Sequence, residues 1–104
     1  MTAEELKGHL DLLLLSALAE GPSHGYLLIE RLRARSGDAF DLPEGTVYPA
    51  LHRLERDGLL ASAWTAASGR RRRVCRVTRR GRITLARRRA EWRSFSRAVE
   101  AVIA

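Results

Sequence analysis

Thirteen arginines fall between residues 70 and 104, against two acids, Glu91 and Glu100. A guanidinium is always charged and carries five donors in a rigid fork, so a cluster of them suits phosphate or carboxylate. Residues 1–69 lean the other way. There Lys7 and five arginines face ten acids, a net of −4, against +11 for the remainder; together they give the formal +7. So uneven a distribution points to a polyanionic partner, nucleic acid first. A highly charged, solvated helix surface is the plainer alternative. Other chemistries find no support. The three histidines and one cysteine form no convergent pattern, and there is no HExxH, CxxC or phosphate-cradling glycine loop. An enzyme, a metal site and a cofactor are therefore not expected. A single cysteine cannot form an intrachain disulfide and fits a reducing cytoplasm.

The elements that must position these arginines follow from periodicity. Residues 4–19 read as a helix: Leu6, Leu10, Leu13, Leu14 and Ala17 keep a helical rhythm, and Leu12, Leu15 and Leu18 widen the apolar face. The run is interrupted by Asp11 and too short to span a bilayer, and the N-terminus is acidic where a secretory signal is basic. No membrane partner and a cytoplasmic location are expected. "EGPS" at 20–23 stops this helix, with Ser23 the expected N-cap of a second helix over 24–35. A third helix runs from Glu44 or Gly45 to Asp57, buried through Val47, Leu51 and Leu54, with Pro49 expected near the end of its first turn. Two strand-like runs at 59–65 and 72–78 flank "AASGR", which predicts a hairpin with a flexible tip. Thr78 then caps a helix over 79–103, roughly 37 Å long. Along it Leu85, Trp92, Phe95, Val99 and Val102 step by 7, 3, 4 and 3, with Arg88 at the vacant seam position. The helix is too long for a small core, so a second copy is the expected cover, with packing back onto the first helix alone as the alternative.

Three helices, a hairpin and a long helix make a mainly α fold with a small β-hairpin: a winged helix-turn-helix over 1–78 and a dimerisation helix over 79–104. In that arrangement the third helix enters the major groove and the hairpin, the wing, reaches phosphates or a minor groove. Thr46, Tyr48, Pro49, His52 and Arg53 are the candidates on the DNA-facing side of the third helix. Ser23, His24 and Tyr26 stand at the start of the second, where free amides suit phosphates. Arg70, Arg71 and Arg72 lie at the wing tip, and strand alternation should direct only two of the three at one backbone. Arg73 and Arg76 are closer to the body. Glu55 and Arg56 read as solvated.

The stretches "GPSHGY" at 21–26, "GTVYPALHRLERDGLL" at 45–60 and "GRRRRVCRVTRRGR" at 69–82 closely resemble the PadR family of transcriptional regulators. The resemblance extends over residues 6 to about 103 and is nearest to the compact subfamily with one C-terminal helix. It implies a homodimeric repressor of double-stranded DNA, released by a small molecule or stress signal. It also makes the start of the second helix a backbone contact. Trp92 lies fourteen residues after Thr78, a spacing that in compact members puts a tryptophan in a ligand pocket between subunits. Trp92, Phe95 and Val99 thus become candidates for binding a planar aromatic effector, and Leu85, Trp92, Phe95, Val99 and Val102 for the dimer interface. A dry apolar seam is the alternative. The family often has Tyr where Cys75 stands, so Trp64 is expected to supply the missing wing packing. A protein-interaction module without sequence-specific DNA binding is the competing function.

Overall fold

The computed structural model describes residues 6, 8–67 and 69–104. Its elements are α1 (Leu10–Leu18), α2 (Gly25–Arg35), α3 (Glu44–Arg56), β1 (Leu60–Ala67), β2 (Arg70–Val77) and α4 (Arg79–Ile103). This is the expected winged-helix class. Leu14, Leu15, Leu28, Val47, Leu54 and Leu60 are the largest fully buried side chains, so all three short helices and the hairpin base share one core.

The first helix is shorter than expected. Gly8 takes φ +86°, a left-handed conformation that breaks the run, and α1 begins at Leu10. The rest of the expected 4–19 helix, at residues 4, 5 and 7, lies outside the described residues.

The cap of α2 is also not the expected one. His24, not Ser23, holds the N-cap position, its Nδ1 accepting from the Leu27 amide at 3.3 Å. Ser23 is buried because its backbone does something else. Its amide donates to the Cys75 carbonyl at 3.0 Å, and the Cys75 amide donates back at 2.8 Å. The entry to α2 is thereby stitched to β2 like a one-residue third strand, which fixes the wing relative to α2.

In α3, Pro49 is the sixth helical residue, in the second turn and not the first. A proline there removes the bond that its amide would give to the Gly45 carbonyl. The helix tolerates this because its buried face, Val47, Ala50, Leu51 and Leu54, anchors both sides of the interruption.

The hairpin is longer and tighter than expected. β1 and β2 pair antiparallel from Leu60↔Val77 to Ala67↔Arg70, so Ala66, Ala67 and Arg70 belong to strands and not to a loose tip. Gly69 takes φ +75° at the turn; Ser68 lies outside the described residues. Cys75 faces the core opposite Ser62, with burial pushing its thiol pKa up. Trp64 does not fill the space beside it. It pairs with Arg73 nearer the tip and is 57% exposed.

Thr78 caps α4 as expected, its Oγ1 accepting from the Gly81 amide at 3.0 Å and donating to the Gly58 carbonyl at 2.7 Å. Gly81 lets the helix lie against the turn after α3: a Cβ there would sit 2.1 Å from the Leu59 carbonyl oxygen. Leu85, expected at a subunit interface, is 3% exposed within the core of the single chain. Beyond it α4 leaves the body, and Phe95, Val99 and Val102 are exposed.

Candidate nucleic-acid interface

The start of α2, the outer face of α3 and the wing enclose an open groove of about 600 Å³, lined by His24, Gly25, Tyr26, Tyr48, Trp64 and Arg70 to Arg73. No carboxylate is among these residues, whereas four arginines are. The groove exists because Gly25 is small. A Cβ at Gly25 would fall 2.6 Å from the Tyr48 ring, so only glycine lets Tyr48 lie across the first turn of α2. Tyr26 points outward, 61% exposed, and is not part of the core.

The four wing arginines divide by their partners. Arg70 is exposed near the tip. The Arg71 guanidinium lies 4.8 Å from the centre of the Trp64 ring, a cation–π contact that leaves its outward donors to solvent. Arg72 Nη1 reaches His24 Nε2 at 2.6 Å. Arg73 is held by the body: Nη2 donates to both Glu55 oxygens at 3.0 and 2.8 Å, and Nε to Ser62 Oγ at 2.7 Å. Arg73, expected closer to the body, is bound to it. Glu55, expected to be solvated, is the body's acceptor for it; hydrogen bonds from Ser62 and then Arg73 hold its carboxyl pKa below the ordinary value.

His24 is a point of tension. Desolvation, then the charges of Arg72 and Arg31, push its pKa below the ordinary imidazole value. Its Nδ1 faces the Leu27 amide and its Nε2 faces Arg72, yet a neutral imidazole has one acceptor nitrogen. The two contacts compete. An anion drawing Arg72 away would free His24 to keep only the cap.

On α3 the outward stripe is Gly45, Tyr48, Pro49, His52 and Arg56, all exposed. Thr46 lies half-buried on its flank. Arg53 turns away from the stripe and pairs with Asp11 of α1. The sequence candidates Tyr48, Pro49 and His52 thus share one surface with His24, Tyr26 and the wing, whereas Ser23 is buried and Arg53 is engaged elsewhere. Trp64, Gly25 and Arg56 were not foreseen. Arg56 was legible as the next turn after His52. The roles of Trp64 and Gly25 depend on how close hairpin and helices come, which periodicity does not encode.

A second, apolar hollow lies where α4 leaves α1, lined by Gly8, His9, Leu12, Arg88, Glu91, Trp92 and Phe95. The His9 ring meets Trp92 edge-on at 5.2 Å, and Trp92 and Phe95 centres are 6.1 Å apart. Arg88, at the vacant seam position, donates from Nη2 to the Gly8 carbonyl at 2.6 Å and so ties α4 to the chain before α1. Val99 lies beyond this hollow and is 37% exposed. Among the described residues no cluster of His, Cys, Asp or Glu could hold a metal ion, and no helix is long and apolar enough to cross a membrane.

Known proteins match this arrangement. Residues 14–87 match the transcriptional regulator PadR-like family. A transcriptional regulator of Mycobacterium tuberculosis is 45% identical over 67 residues, which cover 64% of this chain. The matched part spans 60% of that relative's length. Among solved structures, a transcriptional regulator from Clostridium thermocellum superposes with TM-score 0.90 at 26% identity, over 100% of this chain and 99% of its own. A PadR family transcription regulator from Clostridium difficile gives TM-score 0.82 at 30% identity, over 93% and 100%.

Proposed function

The chain belongs to the PadR-like family of DNA-binding transcriptional regulators, and from that premise we propose that it is a repressor that binds a roughly palindromic operator as a homodimer. The observation that carries this reading is the acid-free groove in which Tyr48, Arg71 and Arg72 converge beside the outward stripe of α3. Duplex DNA supplies the matching shape and charge. The α3 stripe enters a major groove, where His52 and Arg56 meet base edges or phosphates, and the Trp64-stacked Arg71 with Arg72 meets the adjoining backbone. Two chains joined along α4 through Trp92, Phe95, Val99 and Val102 carry two such surfaces. In the same reading a planar aromatic effector enters the hollow at Trp92 and Phe95, stacks on the indole and changes the spacing of the two α3 helices.

The test is a gel shift on DNA upstream of the chain's own coding region, with a scrambled duplex as control. The native chain should favour the upstream DNA, and Arg71→Ala with Arg72→Ala should lower the salt slope by about two. Equal binding to both duplexes, or an unchanged slope, contradicts the reading and favours the protein-interaction alternative.

A further inference from the structure

We propose that the open basin where the end of α3 meets the first turns of α4 is a second seat for the sugar-phosphate backbone of the bound duplex, apart from the groove described above. The inference rests on the DNA-binding reading and extends it.

The basin is lined by Arg56, Arg79, Arg80, Arg87 and Arg88, with Leu59, Ile83 and Thr84 between them. Its one acid, Asp57, lies 3.5 Å from Arg56. Glu91 approaches Arg87 at 3.6 Å, and Arg88 is drawn to the Gly8 carbonyl. That leaves Arg79 and Arg80, both exposed, with no carboxylate within ion-pair distance among the described residues. Both stand in the first turn of α4, where the helix end adds positive potential. Arg80 Cδ and Nη1 lie 3.8 and 3.7 Å from where a Cβ of Gly58 would be, so the exposed Arg80 side chain runs over the turn after α3.

Continuity and charge name the occupant. Arg56 belongs both to this basin and to the outward stripe of α3, one turn beyond His52. A duplex seated on that stripe therefore meets the basin at the C-terminal end of α3. An acidic surface on a second copy is the weaker match, since Asp41, Glu44 and Glu100 are the only acids among the described residues outside an ion pair. Asp11, Glu20, Glu30, Asp38 and Glu55 already hold arginines of their own chain. The chain's positive excess lies in this segment, and the duplex supplies the missing negative charge.

Phosphate contacts set affinity without reading sequence. In binding titrations over a range of salt, Arg79→Gln with Arg80→Gln should lower the salt slope by about two. Upstream and scrambled duplexes should both lose affinity, by the same factor. Arg79→Lys with Arg80→Lys should restore the slope, and thermal unfolding should confirm that every variant is folded. An unchanged slope in the glutamine variant, or a loss confined to the upstream duplex, overturns the second seat alone. A native chain that shows no preference for the upstream duplex overturns the function reading, and the second seat falls with it.

Discussion

The two halves of α4 carry one periodicity and lead two different lives. Gly81 and Leu85 are spent inside the chain: the first admits the Leu59 carbonyl and the second closes the core. Phe95 at 59% exposure and Val102 at 84% continue the same seam beyond the core, and the described residues leave most of their surface uncovered. A hydrophobic repeat thus says that a face will be covered but not by what. The division falls near Arg88, where the seam residue is charged and reaches back to the Gly8 carbonyl. Up to that point α4 belongs to the winged-helix body; after it the apolar face grows exposed, and it is the face that the proposed homodimer would cover.

Substitutions on either side of that division should part company. The largest effect is expected at Leu85→Ala, which opens a cavity in the core and should cost about 2–5 kcal/mol of unfolding free energy. The cost should persist in a chain that also carries Phe95→Ser and Val99→Ser, since it arises within one protomer. Denaturant titrations of both backgrounds check this. If the cost vanishes in the doubly substituted background, Leu85 is an interface residue after all.

Next comes Phe95→Ser with Val99→Ser alone. It should leave the helical circular dichroism intact and shift sedimentation toward a single chain. Affinity for upstream DNA should fall by about 100-fold or more, because two linked binding surfaces become one. Unchanged sedimentation would remove the outer half of α4 from the interface and erase the contrast. The smallest effect belongs to Arg53→Ala. Its pair with Asp11 is partly exposed and should be worth under about 1 kcal/mol. Because Arg53 faces α1, DNA affinity should change less than about threefold, under roughly 0.7 kcal/mol. A tenfold loss would place Arg53 back on the DNA-facing surface.

The same contrast shows what the chain's letters convey. Helical periodicity located the buried faces of α2 and α3, and the cap at Thr78 held, because these are local patterns enforced by one common core. Apart from the local shifts at Gly8 and Pro49, the expectations that moved depend on neighbours distant in sequence. Ser23 has the chemistry of a cap, but its backbone is claimed by Cys75, fifty-two positions away, and His24 caps instead. Arg53 has the chemistry of a phosphate contact, but Asp11 takes it. The PadR-like motifs identified the fold as a whole, whereas the groove came into view only when Tyr48 was found lying across Gly25 and Arg71 over Trp64. Sequence set Arg73 apart as nearest the body but could not sort Arg70, Arg71 and Arg72, which are consecutive and end in three different surroundings.

The most direct test of the division of α4 is a hydroxyl-radical footprint of the native chain on its upstream DNA, with the bound stoichiometry read in parallel. A body completed by the inner half and paired through the outer half should protect two blocks about one helical turn apart, roughly 10 base pairs between centres, with two chains bound. A single protected block from one chain, or even protection across any sequence, would contradict it.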